Sequence, residues 1–417
     1  MFHKITQCRF CGNTELAPLL DLGEQYLTGV FPRTATERIT CGPLELVKCH
    51  GEGGCGLVQL HHSYDSSEMY GANYGYRSSL NRTMVEHLKA KVEKLTSKVP
   101  LKSSDLVLDI GSNDGTLLSF YPAGAEGPTV VGIDPTSAKF RQYYKPHITA
   151  IPEFFSAKTF QSHFGARKAK VITAIAMFYD LEQPKAFVEE IVQVLDDEGV
   201  WHFEQSYMPT MLEQNAYDTV CHEHLEYYGL HQIQWILNKC GLKILDVELN
   251  DINGGSFAIT AAKQGSHYAQ NVEAVEGLLA AEVKGGYQTL APYEAFRKRV
   301  FEHRNQLLAL INGLRKKGAK VLGYGASTKG NVILQFCGIT PDVIPYIAEV
   351  NPDKFGAVTP GTHIPIISEK EAHEMKPDYL LVLPWHFKAN LVARETAYLG
   401  AGGKMIFPLP TIEIVEG

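Results

Sequence analysis

Residues 106–115 combine a short apolar run with an acidic, glycine-containing turn, in the order LVLDIGSNDG. The run predicts a buried strand of a parallel sheet, because strands covered on both faces are continuously apolar. Gly111 and Gly115 let the backbone bend sharply and come close to a ligand. Residues 116–120 predict the start of the following helix. In open α/β sheets, ligands bind where the carboxyl end of such a strand meets the next helix. The stretch therefore predicts an α/β domain with a ligand site at its turn.

A second acidic residue ends the next predicted strand. Residues 130–134 read VVGID, so Asp134 lies 25 residues after Asp109. An acid at this place can accept hydrogen bonds from a ribose diol. A dinucleotide would put its pyrophosphate at the turn, where Asp109 and Asp114 would repel it. A cationic sulfonium with an amino-acid tail suits the turn better, although an ordinary βα turn of another α/β enzyme is the alternative.

This turn resembles motif I of the S-adenosylmethionine-dependent methyltransferases. The resemblance implies S-adenosylmethionine as the cofactor. The cofactor-binding residues that it implies are Asp109, Gly111, Asn113, Asp114, Gly115, Asp134 and Pro135.

The length, the net charge and the lack of long apolar runs limit the classes of protein to which this chain can belong. A chain of 417 residues is long enough for two or three domains. A net charge of −7 argues against a general nucleic-acid binder. No apolar run approaches the roughly 18 residues that would span a bilayer, and the first residues lack the apolar segment of a signal peptide. We therefore expect a cytoplasmic protein that binds neither nucleic acid nor membrane.

Five of the eight cysteines lie in the first 55 residues. Cys8 and Cys11 form a C-x-x-C-G pair, and Cys49 and Cys55 form a wider one that is also followed by glycine. Two such loops can close four thiolates on one structural zinc ion. The second pair is spaced more widely than is usual for zinc ligands. Cys41 and His50 are therefore additional candidate ligands. Reduced, metal-free thiols are the alternative.

Residues 217–228, YDTVCHEHLEYY, carry dense titratable chemistry. His222 and His224 are two residues apart, so they cannot share a helical face as the histidines of H-E-x-x-H do. One of them could serve as a base of near-neutral pKa while Glu223 or Asp218 orients it. A polar helix entrance with solvated charges is the alternative.

The remaining chain predicts a second α/β unit. Strands at 170–177, 199–204, 243–249 and 256–263, with a helix at 187–195, continue the first sheet and give the layout of class I methyltransferases. Helices follow at 270–317. Residues 320–331 then predict a strand, a glycine turn and a helix, and strands near 345–350, 379–384 and 404–408 complete a smaller sheet. The turn carries Lys329 and no acid, which suits a phosphate or diphosphate, although tight packing alone would also explain it.

Together these features resemble the bacterial sugar C-methyltransferases that act on nucleotide-linked keto-deoxysugars. The segments that carry the resemblance are 109–116, 222–224, 253–256, 323–326 and 360–365. The resemblance implies an α/β fold with a class I methyltransferase (Rossmann-like) core. An N-terminal zinc-binding domain (1–72) would precede the methyltransferase domain (73–265), and a helical segment with a C-terminal Rossmann-like domain (266–417) would follow.

The resemblance also implies the chemistry, which is methylation at carbon 3 of a dTDP- or GDP-linked 4-keto sugar through an enolate. His224 would be the base, Tyr76 or His222 would stabilise the enolate oxygen, and the diphosphate would lie against the C-terminal domain. Cys221 stands where a tyrosine is frequent in the family, and Asp180 where some members have histidine. The implied catalytic residues are His224, Glu223, His222, Tyr76, Cys221 and Asp180. The implied substrate-binding residues are Tyr74, Tyr76, Arg77, Tyr179, Tyr324, Lys329 and Asn331.

Two other function classes stay open at this point. One is a nucleotide-sugar oxidoreductase or epimerase that binds NAD at the second glycine turn, with Glu349, 24 residues after Gly325, on the ribose. The other is a non-catalytic module that binds S-adenosylmethionine. The oligomeric state is also open, and a monomer is compatible with the sequence.

Overall fold

The computed structural model describes residues 2–34, 36–70 and 76–417, so Tyr74 lies outside the described residues. The N-terminal part folds into two small antiparallel sheets. Its elements are β1 (Phe2–Lys4), β2 (Leu16–Tyr26), β3 (Cys41–Cys49), β4 (Val58–Leu60), β5 (His62–Tyr64) and α1 (Ser66–Met69). β1 pairs with β5, while β2, β3 and β4 form the second sheet.

The central part contains a seven-stranded sheet. Its strands are β6 (Leu106–Ile110), β7 (Thr129–Ile133), β8 (Ile148–Ile151), β9 (Ala169–Ile175), β10 (Leu195–Ser206), β12 (Leu242–Asn250) and β13 (Ser256–Lys263). The order is β8-β7-β6-β9-β10-β13-β12. β13 is antiparallel to both neighbours, and the pairs from β8 to β10 are parallel. All five residues of β6 are buried, as its apolar run predicts for a central strand.

Helices cover this sheet: α2 (Arg82–Lys98), α3 (Ser137–Phe140), α4 (Ala157–Phe164), α5 (Pro184–Val194) and α7 (Leu230–Lys239). α6 (Met208–Glu213) follows β10 and packs in a different core. The predicted helix at 116–120 is only a 3-10 turn at Leu118–Phe120. Thr116 N and Oγ1 both donate to Asp114 Oδ1 (3.2 and 2.6 Å), and Pro122 cannot continue a helix.

The C-terminal part forms a six-stranded sheet in the order β16-β15-β14-β17-β18-β19. Its strands are β14 (Val321–Tyr324), β15 (Ile347–Glu349), β16 (Ile366–Ser368), β17 (Tyr379–Val382), β18 (Lys404–Phe407) and β19 (Glu413–Glu416). Only β19 is antiparallel. The helices are α8 (Val272–Lys284), α9 (Ala291–Lys316), α10 (Thr328–Cys337), α11 (Glu369–Glu374), α12 (Lys388–Arg394) and α13 (Thr396–Gly400). α8 packs against α7 and β12, so the helical segment that follows the central sheet begins on that sheet.

Residues 208–227 join the three parts of the chain. Their apolar side chains belong to one core that also includes the N-terminal sheet and the C-terminal domain. A short strand, β11 (Glu226–Tyr227), extends the N-terminal sheet by pairing with β4. Tyr217 Oη donates to His303 Nδ1 of α9 (3.2 Å). The segment is therefore a turn-rich joint that leads into α7, and the acids Asp218, Glu223 and Glu226 are buried, in contrast to the alternative with solvated charges.

No helix in the described part of the chain is long and apolar enough to cross a bilayer.

Candidate active site

The acidic turn lies at the carboxyl ends of β6 and β7, where the sequence predicts a ligand. Gly111 and Gly115 have positive φ angles of 72° and 75°, which only glycine adopts without strain. Asp134 Oδ2 accepts from Asn113 N (2.7 Å), so the second strand's acid holds the turn. Burial raises the pKa of Asp109 to about 7, and Asp109 Oδ1 accepts from Thr173 Oγ1 (2.6 Å).

These carboxylates fit a cationic ligand with a ribose. Asp134 accepts three hydrogen bonds from the protein, from Asn113 N and from Thr136 N and Oγ1. A carboxylate offers about four acceptor positions, so one acceptor position is left for a ribose hydroxyl. Removing water from three neighbouring acids is costly, and a bound sulfonium and ammonium would offset that cost.

We expect Asp134→Ala to weaken the binding of S-adenosylmethionine by about 1–3 kcal/mol, the usual cost of losing a charged hydrogen-bond partner. Isothermal titration calorimetry measures the change. Asp105→Ala is the matched control, because this acid precedes β6 at the opposite end of the strand and accepts from Lys102 N (2.7 Å). Equal affinity in Asp134→Ala and Asp105→Ala would contradict the assignment of Asp134.

The four predicted metal ligands form a compact cluster. The Sγ atoms of Cys8, Cys11, Cys49 and Cys55 all lie within 4.8 Å of one another. The Cys8–Cys55 and Cys11–Cys49 distances are 3.6 and 3.5 Å. A tetrahedral zinc with Zn–S bonds of about 2.3 Å holds its sulfurs about 3.8 Å apart, so the cluster fits zinc. Cys41 begins β3 and lies outside the cluster.

The loop between the first two cysteines docks on the central domain. Arg9 donates to Leu60 O (2.6 Å) and Ser63 Oγ (2.8 Å) within the N-terminal domain, and its Nε approaches Glu182 Oε2 of the central domain (3.4 Å). The ring of Phe10 stacks on Trp235 of α7, with centroids 5.5 Å apart. The metal site is therefore structural, and it orients the N-terminal domain against the segment after β9.

His224 is held in one tautomer by a backbone carbonyl. Its Nδ1–H donates to Thr219 O (2.9 Å), so Nε2 carries the free lone pair. The ring lies against Tyr179, with centroids 4.2 Å apart, and remains partly exposed. Neither Glu223 nor Asp218 orients the ring, in contrast to the sequence-based hypothesis.

Burial and the positive charge of Lys329 lower the pKa of His224 to about 3, below the near-neutral value expected from sequence. The ligand-free ring is consequently neutral at pH 7, and its proton affinity is low. An anionic ligand in the same space would raise this pKa again.

Three domains meet at this histidine. We call the meeting point the domain junction and define it by residues 28–29, 217–224, 253–254, 328–331 and 385–386. Trp385 Nε1 donates to Asp218 Oδ2 (2.7 Å), and Lys329 Nζ donates to Asn253 O (2.7 Å). Lys329 and His386 keep partly exposed surface, as His224 does.

Two other predicted catalytic residues, Asp180 and Cys221, lie beside Glu223 of the junction. The carboxyl group of Asp180 adjoins Tyr70 and Glu223, and burial raises its pKa well above the ordinary value. Burial likewise raises the pKa of the Cys221 thiol, which contacts Glu223. The Cys221 thiol is therefore protonated near pH 7, and burial disfavours the charged form of Asp180.

Several predicted site residues lie away from His224. The buried ring of His222 packs edge-on against Tyr64 of β5, with centroids 4.5 Å apart. Tyr76 lies on the cofactor turn, where its carbonyl accepts from Asn113 Nδ2 (3.2 Å), and Arg77 contacts Tyr143. These two residues therefore border the cofactor site.

Two residues of the C-terminal domain that were expected to bind substrate, Tyr324 and Asn331, contact other parts of the protein. Tyr324 Oη donates to Glu395 (2.5 Å) and contacts Arg394, inside that domain. Asn331 Nδ2 donates to Thr28 O (2.7 Å), so it fastens the N-terminal domain. Among the predicted substrate-binding residues of the C-terminal domain, Lys329 is the one whose charged side chain reaches the domain junction.

The second glycine turn is closed by packing. Ala326 N donates to Glu349 Oε2 (2.9 Å), and Glu349 Oε1 accepts from Val350 N and Asn351 N. A Cβ on Gly325 would lie 2.6 Å from Pro384, so the ring covers the turn. At this turn, Ala326 N is therefore bound to Glu349 and is not free for the expected diphosphate.

Sequence reasoning missed Gly29, which no motif marks. A Cβ at this position would overlap Glu223 Oε1 and lie 3.5 Å from Thr328 Oγ1. Thr28 Oγ1 donates to Glu223 Oε2 (3.4 Å). Glu223 thus belongs to the contact between the N-terminal domain and α10.

We expect Gly29→Ala to destabilise the chain by about 1–3 kcal/mol, because the added methyl group must displace the buried Glu223. Urea unfolding followed by circular dichroism measures the loss. Gly277→Ala in α8 is the control, since nothing lies within 4 Å of its Cβ position. An unfolding midpoint for Gly29→Ala equal to that of Gly277→Ala would show that the junction is loosely packed.

The strand order, the acidic turn and the four-cysteine cluster define a class I S-adenosylmethionine-dependent methyltransferase with a structural zinc domain. Three family models match the chain in order: a zinc binding domain at residues 8–70, a methyltransferase domain at 81–247 and a C-methyltransferase C-terminal domain at 251–410. The chain belongs to the C-methyltransferases that combine these three domains, with S-adenosylmethionine as cofactor and zinc as structural metal.

A curated relative spans the whole chain. C-methyltransferase NovU from Streptomyces niveus is 28% identical over 416 residues, which cover 99% of this chain and 97% of NovU. Solved structures match the chain in part. Magnesium protoporphyrin IX methyltransferase (ChlM) from Synechocystis PCC 6803 with bound SAM is 16% identical, with a TM-score of 0.32 over 43% of this chain and 79% of that one. The plantazolicin methyltransferase BpumL in complex with SAH is 14% identical, with a TM-score of 0.34 over 43% and 84%.

Proposed function

We propose that this C-methyltransferase acts on a nucleotide-linked keto-deoxysugar and methylates the carbon next to the ketone, carbon 3 of a 4-keto sugar. The observation that carries the proposal is the free Nε2 of His224 at a junction between the cofactor domain and the C-terminal domain. A carbon acid beside a ketone needs such a base before its carbon can become a nucleophile. The resemblance in domain order and motifs supports a sugar linked to dTDP or GDP.

In this proposal, separate residues of the chain take up the proton and hold the cofactor. Thr219 O fixes the tautomer of His224, whose Nε2 accepts the proton from the carbon next to the ketone. The C–H electron pair moves into the enolate, and its charge settles on the oxygen. When bound, S-adenosylmethionine supplies an electrophilic methyl group. Asp134 and Asp109 would hold the cofactor, and closure of the three domains excludes water and aligns the reactants.

The NAD-dependent alternative finds little support. Glu349, the acid that would bind the ribose, already accepts from three backbone N–H groups. Pro384 covers the turn where a pyrophosphate would lie. A non-catalytic module would not need a histidine held in its base tautomer at the junction. Both alternatives are therefore less favoured than methyl transfer.

The experiment is incubation of the purified protein and S-adenosylmethionine with dTDP- and GDP-linked 4-keto-deoxysugars. We expect a gain of one methyl group by mass spectrometry, and NMR should place it at the carbon next to the ketone. Asp134→Ala should lower the yield at low cofactor concentration. Equal methylation of keto sugars without a nucleotide, or methylation on oxygen, would overturn the proposal. Incubation with NAD in place of the methyl donor should leave the sugars unchanged.

A further inference from the structure

We propose that Lys329, a residue of the C-terminal domain, stabilises the negative charge that forms on the substrate's ketone oxygen. This inference rests on the proposed function and assigns a catalytic role to a domain that lies outside the methyltransferase sheet.

The direction of the side chain is the first argument. Lys329 follows the second glycine turn, where a phosphate-binding lysine would point back at its own turn. Its Nζ instead donates across the domain boundary to Asn253 O (2.7 Å). At the turn itself, Glu349 accepts from Ala326 N, and Pro384 lies against Gly325. The ammonium group is therefore directed toward the reaction centre, away from the turn that would hold a diphosphate.

The second argument is unused donor capacity. An ammonium group has three N–H donors, and Asn253 O takes one. Among the described residues, Nζ is bonded to Asn253 O and forms no ion pair with a carboxylate oxygen within 4.0 Å. Asp218, its partial counter-ion, is held through Oδ2 by Trp385, and its Oδ1 has no hydrogen-bond partner among the described residues. A partly exposed cation with two unused donors is suited to an anionic oxygen.

The third argument is charge balance during proton transfer. Lys329 lies in the first turn of α10, and α10 packs on residues 217–219, whose Thr219 O holds His224. The charge of Lys329 also acts on His224 and His386. When Nε2 of His224 takes the proton, the C–H bond breaks, an N–H bond forms and the electron pair is delocalised onto the ketone oxygen. The resulting imidazolium would be repelled by the ammonium if no anion lay nearby. An enolate oxygen paired with Lys329 supplies that anion, and the total charge does not change.

The other expected donors are poorly placed for this role. His222 is buried against Tyr64, on the N-terminal side of the joint. Tyr76 lies on the cofactor turn near Asn113. Lys329 thus takes the role that the sequence alone gives to a phenol or an imidazole.

The inference is tested with the variants Lys329→Met and Lys329→Arg. Both are assayed as full-length, zinc-loaded protein with the keto sugar that the wild-type protein methylates fastest. We expect Lys329→Met to lower kcat by about 10²–10³-fold, the usual cost of removing one oxyanion donor. Deuterium uptake from solvent at the carbon next to the ketone, without a methyl donor, should slow by a similar factor. The affinity for the free nucleoside diphosphate should change less than about threefold. Lys329→Arg keeps the charge and should restore part of the exchange.

Lys354→Met is the matched control, because it removes another partly buried ammonium of this domain, bonded to Ala326 O (2.7 Å). Its turnover per folded molecule should stay within a few-fold of wild type. A raised KM and weaker nucleoside diphosphate binding in Lys329→Met, with kcat unchanged, would overturn the inference in favour of phosphate binding. If wild type neither methylates nor exchanges any keto sugar, the proposed function fails first, and the role of Lys329 falls with it.

Discussion

His224→Asn is expected to lower turnover by about 10²–10⁴-fold, the range that removal of a general base usually costs. The asparagine side chain cannot take up the proton from carbon, whereas the cofactor site at Asp109 and Asp134 lies on other elements. Binding of S-adenosylmethionine should therefore stay unchanged in calorimetry. The loss should appear in kcat and in kcat/KM alike, because the base acts only in the transition state.

Solvent exchange isolates the step that His224 performs. In wild type without a methyl donor, the proton next to the ketone should exchange with deuterium. His222→Asn is the matched control, because it changes a histidine two residues away whose ring packs on Tyr64. It should retain exchange and lose thermal stability. Persistent exchange in His224→Asn would place the base elsewhere and refute the first step of the mechanism.

Cys55→Ser is expected to abolish stoichiometric zinc and to unfold the N-terminal domain. Structural zinc contributes on the order of 10–16 kcal/mol in small zinc-binding peptides, and a domain of this size has little core to replace it. The loss should also reduce turnover, because the loop that holds Arg9 against Glu182 and Phe10 against Trp235 depends on Cys8 and Cys11. Metal analysis, thermal unfolding and activity measure the three effects.

Cys41→Ser is the matched control for the metal site. Cys41 lies at the start of β3, where burial raises the pKa of its thiol, and it is outside the four-sulfur cluster. We expect it to retain one zinc per chain. Loss of zinc from Cys41→Ser would overturn the ligand assignment, as would full zinc occupancy in Cys55→Ser.

The sequence alone predicted the parts of this protein that depend on local chemistry. The strand, acid and glycine turn at 106–115 follow from apolar patterning and from the positive φ that glycine permits. The zinc ligands follow from cysteine spacing, even though the second pair is wide. The base candidate came from the dense polar run at 217–228, together with the family resemblance. In each case, the signal is a short local pattern, although the zinc cluster joins two patterns that are distant in the chain.

Only the tertiary structure decided where the side chains of those segments go. His222 and His224 are two residues apart, yet one packs on Tyr64 and the other is held by Thr219 O, because different domains cover the two sides of the joint. Lys329 leaves its own turn for Asn253 O, which belongs to another domain. A local pattern fixes the path of the backbone, whereas the partner of a side chain is set by whichever distant surface packs against it, and that information is spread over the whole chain.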